Sequence, residues 1–132
     1  MLQLTADLRD AMVATCVRAL PEEGCGLLLG SSDGVVMEVV ASVNVAHSAR
    51  VYEIDPRVLL HTFRRADDEG VMVMGVFHSH THSEPRPSPT DVAQAPDPSW
   101  HYVLVGLRKE TTQVRSFRIE NGVVSEESVE IR

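Results

Sequence analysis

Two cysteines, Cys16 and Cys25, are all that the 132 residues hold. That is too few for a disulfide framework and fits a reducing compartment such as the cytoplasm. No apolar run reaches the roughly 18 residues that span a bilayer. The opening stretch MLQLTADLRD lacks the basic start and apolar core of a signal peptide. Basic residues are outnumbered, 12 against 19, for a net charge of −7. A net-acidic surface argues against non-specific binding to nucleic acid or anionic membranes. Internal repeats, linkers and low-complexity tracts are also missing. What is present is ordinary for a globular chain, 43% hydrophobic and 23% charged residues, so residues 1–132 are expected to form one domain.

Residues 5–20 carry Leu8, Ala11, Met12, Cys16, Ala19 and Leu20 at helical spacing, with Thr5 as N-cap and Pro21 past the end. Residues 24–30 read as a short buried strand, Ser31-Ser32-Asp33-Gly34 as a turn, and 35–45 as a second strand. Asp55 caps a helix that has Pro56 at its first position and runs to about Glu69, where Gly70 ends it. Residues 71–80, VMVMGVFHSH, form a continuous apolar run ending in two histidines, as expected of a central strand covered on both faces; Met72 and Met74 read as core filling. Two prolines stop any continuation through residues 81–87. Ser88-Pro89 opens a short helix, and 101–107 is another buried strand. VRSFRIE and VVSEESVEI flank Asn121-Gly122 and read as the two arms of a hairpin. The order predicts an α+β domain with a central mixed β-sheet flanked by helices.

Six histidines are many for this length. His78 and His80 stand two apart on a strand and so share one face. A loop of about seven residues then returns the chain at Ser88, and Asp91 lies one turn into the helix that follows. Two imidazoles and a carboxylate aimed at one point are a ligand set of the catalytic zinc type, with a fourth position left for water. Each residue has a plainer reading. A lone histidine at a strand end is usually a core or surface residue. Asp91, three residues after a serine cap, completes a capping box and suits the helix dipole. The joint spacing favours the metal. An HExxH helix is absent, which excludes that local motif. His82 reads as a loop residue near a cleft, His47 and His61 as surface residues, and His101 as structural.

His78-Ser79-His80, seven residues, Ser88, two residues and Asp91 match the signature of the JAMM, or MPN-plus, zinc isopeptidases. Upstream, Glu23-Gly24-Cys25-Gly26-Leu27-Leu28 resembles the strand start that carries that family's glutamate. Asn44, Ser48, Tyr52 and Asp55 resemble its connection into the second helix, and the closing strands are similar too. The compact form resembles the bacterial branch, whose members cleave after the terminal Gly-Gly of ubiquitin-like sulfur-carrier proteins and release cysteine.

The resemblance implies Zn²⁺ on His78, His80 and Asp91, with a carboxylate serving as base to the attacking water. Glu23 is the candidate base and its neighbour Glu22 the rival. Ser88 is implied as a hydrogen-bond donor to the developing oxyanion, a role that competes with capping for one side chain. A thiol mechanism through Cys25 is the minor alternative; Cys16 reads as core. The expected protein is thus a cytoplasmic zinc isopeptidase or peptidase whose partner is a ubiquitin-like sulfur carrier, with homo-oligomerisation left open. The alternative is a non-catalytic MPN-type scaffold.

Overall fold

The computed structural model describes residues 1–132. In chain order the elements are β1 Leu2–Leu4, α1 Ala6–Ala19, β2 Cys25–Gly30, β3 Val36–Ser42, α2 Pro56–Glu69, β4 Met72–His80, α3 Pro89–Ala93, β5 His101–Gly106, β6 Gln113–Glu120, β7 Val123–Glu127 and β8 Val129–Ile131. Local chemistry accounts for most of the boundaries. Thr5 accepts the Leu8 N–H at the start of α1, and Asp55 accepts the Arg57 N–H at the start of α2. Gly70 ends α2 with φ 71°, a left-handed conformation that glycine adopts without a Cβ clash. Asn121 and Gly122 both have positive φ, as the tight turn between β6 and β7 requires.

Six strands form one sheet in the order β3-β2-β4-β5-β6-β7. Only β4 and β5 run parallel; the other neighbours are antiparallel. The sheet is therefore mixed, as expected. β2 and β4 are apolar on both faces because both are covered. One cluster sets Leu2, Met12 and Cys16 against Leu28, Phe77 and Val103. The other sets Ala66 of α2 against Leu27, Leu29, Val73 and Val76. Gly26 permits the tight seam inside the first, since a Cβ there would lie 2.5 Å from the Phe77 ring and 2.3 Å from the Val40 carbonyl.

Three readings are corrected. The stretch VVSEESVEI is not one hairpin arm: β7 stops at Glu127, and β8 leaves to pair in parallel with β1 in a separate two-stranded sheet. Met72 is 41% exposed at the start of β4, whereas Met74 is buried. Ala11 and Leu20 lie on the solvent side of α1, so the buried stripe narrows to Met12 and Cys16. No helix is long and apolar enough to cross a membrane.

Structural histidine chemistry lies away from the β4 pair. His101 Nδ1 donates to Glu127 at 2.6 Å, and the Ser116 hydroxyl donates to the same carboxylate at 2.7 Å. Burial alone would raise Glu127, but these donors outweigh it and hold its pKa at about 2. A folded-state pKa below the ordinary value of about 4.3 stabilises the fold above that pH. The contribution is lost as pH falls from about 4.3 towards 2. Glu127→Gln should therefore lower the melting temperature at pH 7, while the native advantage over the variant shrinks across that acid window. Parallel thermal scans from pH 7 to pH 2 measure it; a constant difference would remove Glu127 from the acid response.

Candidate metal centre

Parallel pairing of β4 with β5 requires a crossover, and residues 81–100 supply it with α3 inside. The crossover lays the start of α3 over the carboxyl end of β4. Alternation along β4 sends Ser79 to the α1 side, where its Oγ accepts the Gly24 N–H at 2.8 Å. His78 and His80 point to the other side and are 3% and 4% exposed. The Tyr52 ring stacks on His78, with centroids 4.1 Å apart.

The structure brings His78, His80 and Asp91 together. Nε2 of His78 and Nε2 of His80 are 3.3 Å apart, and each lies 3.2 Å from Asp91 Oδ2. Ligand atoms about 2.0–2.1 Å from one tetrahedral ion stand about 3.3–3.4 Å from one another, so the triangle has the size of one face of such a site. The second contact of His80 makes the cluster specific for a cation. Its Nδ1 lies 2.8 Å from the Glu84 carbonyl, and a carbonyl has no proton to give, so Nδ1 carries the hydrogen. The neutral ring then turns the Nε2 lone pair inward, against another nitrogen and a carboxylate oxygen. A metal ion or a shared proton at that point relieves the contact between the His80 lone pair and the Asp91 oxygen. This backing of a ligand imidazole by a carbonyl is what metal-binding histidines ordinarily have. These three residues can hold a metal.

The electrostatics agree. Burial disfavours charge on His78 and lowers its pKa. Burial opposes charge on His80 as well, but Asp91 and the Glu84 carbonyl outweigh it and raise His80. Burial also works against the Asp91 carboxylate, yet the His78 and His80 imidazoles against it hold it well below the usual carboxylate range.

Asp91 is positioned by the helix it begins. The Ser88 N–H donates to Asp91 Oδ2 at 2.9 Å, and the Asp91 N–H donates to Ser88 Oγ at 3.1 Å, closing a capping box. The capping and ligand readings of Asp91 are thus compatible, because one carboxylate oxygen faces both the Ser88 N–H and the imidazoles. Ser88 is resolved in the same way: as a cap its oxygen accepts, leaving the hydroxyl proton free to donate elsewhere.

A cavity of about 570 Å³ adjoins the cluster, lined by Glu23, Arg50, His80, His82, Ser83 and Ser88. Glu23 is 3% exposed, and its Oε1 has no hydrogen-bond partner. An unpaired buried carboxylate oxygen is costly and is usually met by a ligand or a water. Burial pushes the Glu23 pKa up to about 8; His80 pulls it down, and Asp91 adds to the rise. Glu22 is placed otherwise, outside the cavity, with its carboxylate 3.3 Å from His47 Nδ1. Cys25 is fully buried, and burial pushes its thiol up to about 12, as it does that of Cys16. Neither cysteine holds a thiolate near neutral pH, which removes the thiol alternative.

Sequence reasoning did not single out Arg50, and it took Asn44 only as part of a connection. Asn44 is the buried hub of that connection. Its amide donates to the carbonyls of Glu23, Ser48 and Val51 and accepts the N–H groups of Ala46 and Glu53. A buried side chain with five backbone partners has no one-dimensional pattern; a polar stretch between a strand and a capped helix was the only available signal.

Comparison with known proteins closes the identification. A family model of prokaryotic homologs of the JAB domain matches residues 5–120. The CysO-cysteine peptidase of Mycobacterium tuberculosis is 38% identical over 132 residues, covering 98% of this chain and 90% of that protein. A probable TtuB-protein conjugate cleaving protease of Thermus thermophilus is 31% identical over 112 residues, 83% of this chain and 70% of that one. A Desulfitobacterium hafniense protein solved in solution superposes with a TM-score of 0.91 at 34% identity, covering 100% and 93% of the two chains. With peptidases among such relatives the scaffold alternative falls away, and the chain belongs to the prokaryotic JAB-domain family, the bacterial branch of the JAMM/MPN fold, as a hydrolase.

Proposed function

We propose that this protein is a zinc peptidase that hydrolyses the amide bond after the C-terminal Gly-Gly of a ubiquitin-like sulfur-carrier protein, releasing cysteine or another amine. The observation that carries the reading is the convergence of three ligating atoms beside the unpartnered Glu23 carboxylate. His78, His80 and Asp91 would hold the zinc. When bound, zinc supplies a Lewis acid and a water of lowered pKa. Glu23 accepts a proton from the attacking water and delivers it to the departing nitrogen. The carbonyl carbon gains an oxygen, the C–N bond breaks, and the carrier leaves as a carboxylate. The Ser88 hydroxyl donates to the carbonyl oxygen as it gains negative charge. The names of the mycobacterial and Thermus relatives support a carrier-conjugate substrate. The two unpaired thiols suit the cytoplasm.

Incubating zinc-loaded protein with carrier–cysteine conjugates, read by mass spectrometry, tests this. Loss of the cysteine mass with return of the Gly-Gly terminus is expected. Intact conjugate in the presence of stoichiometric zinc would sink the reading.

Ser88 supplies a separate test because it has two jobs. Ser88→Ala should cost about 0.5–2 kcal/mol through the lost cap and lower kcat by about 10²–10³ through the lost donor. Ser88→Asp should recover melting temperature but not kcat, since a carboxylate caps the helix and repels the oxyanion. Near-normal kcat in Ser88→Ala at a reduced melting temperature would leave Ser88 as a cap alone.

A further inference from the structure

We infer that Arg50 forms a subsite for the free α-carboxylate of the leaving amino acid, so that the enzyme prefers a terminal single-residue adduct over an isopeptide. This rests on the proposed hydrolysis and specifies its leaving group.

Arg50 shares the cavity wall with Glu23, His80 and Ser88. Arg57, Arg65, Arg108 and Arg115 have carboxylate partners, whereas Arg18, Arg64, Arg86 and Arg118 have none and do not line this cavity. The Arg50 guanidinium has none; its one hydrogen bond is made by the backbone, from its N–H to Ser48 Oγ at 3.0 Å. That backbone is stitched to both sides of the site. The Ser48 carbonyl accepts the Glu23 N–H at 2.8 Å, Asn44 donates to the Ser48 and Val51 carbonyls, and the Thr81 hydroxyl donates to the Ala49 carbonyl at 3.5 Å. The backbone that carries Arg50 is thus fixed at the cavity, while the exposed guanidinium has no protein partner.

The chemistry of the leaving group explains the placement. Glu23 must reach the departing nitrogen to protonate it. In an α-amino acid the carboxylate carbon lies only about 2.5 Å from that nitrogen. A free carboxylate therefore enters the cavity beside Glu23, where leaving it without a cationic or hydrogen-bonding partner is costly. A guanidinium on the wall supplies that partner and offers two parallel N–H donors matched to a carboxylate. A lysine side chain leaving from an isopeptide brings no carboxylate to this position and gains nothing from Arg50.

The test uses CysO joined to cysteine and CysO joined to cysteinamide, which differ only in that charge. Zinc-loaded native protein should cleave the acid about 10–100-fold better in kcat/KM than the amide, mainly through KM. The ratio should fall towards one in Arg50→Gln and recover in part in Arg50→Lys. Calorimetric binding to the Glu23→Gln protein, with and without Arg50→Gln, should show the same preference without turnover. Equal cleavage of acid and amide by the native protein, or an equal loss on both in Arg50→Gln, would overturn the subsite while leaving the hydrolysis intact. Cleavage and binding of neither conjugate would overturn both.

Discussion

His80→Ala should leave the protein folded and unable to retain its metal. His80 supplies one of the three converging atoms, and its ring is fixed by the Glu84 carbonyl behind it. Without it two ligands remain, at the mouth of a cavity that admits water. Loss of an outer-sphere partner typically costs 10–100-fold in metal affinity; loss of a direct ligand should exceed about 100-fold. The fold should persist because the side chain belongs to neither apolar cluster. Elemental analysis after dialysis against a mild chelator checks the metal, and thermal unfolding of metal-free samples checks the fold. Full zinc occupancy in His80→Ala would refute the ligand assignment. A coincident loss of cooperative unfolding would show that the residue is structural instead.

Glu23→Gln should retain zinc and lose turnover by about 10²–10⁴, the usual worth of a positioned general base. Gln is nearly isosteric and fills the same buried site, but an amide cannot take a proton from water and return it to nitrogen. Glu22→Gln should be nearly silent, because Glu22 lies outside the cavity beside His47. Steady-state kinetics with metal content measured on the same samples separates the effects. Normal turnover in Glu23→Gln with a defect in Glu22→Gln would transfer the base to Glu22.

Much of this architecture follows from local rules. The Asp55-Pro56 start and Gly70 stop predict α2 from Pro56 to about Glu69, because caps and left-handed glycines act within one turn. The alternation of His78, Ser79 and His80 follows from strand geometry and places two imidazoles on one side before any packing is known. Other features have no local signature. β1 and β8 are three residues each and exist only because they pair with one another across the whole chain. Met72 sits in an apolar run yet faces solvent, since exposure at a strand end depends on what covers it.

By itself the amino-acid sequence determined the helices, most strands of the mixed sheet, the clustering of His78, His80 and Asp91 and the family, because each depends on residue spacing and local backbone preference. Only the tertiary structure decided which of Glu23 and Glu22 lines the cavity. Adjacent residues leaving a helix differ in direction by an angle that the following loop sets, and here the Asn44 hub turns Glu23 inwards. It alone also placed Arg50 on the cavity wall and showed that Ser88 can cap and still donate. Those facts depend on which atoms of distant segments meet, and a contact between residues some 30 to 60 positions apart leaves no trace in spacing.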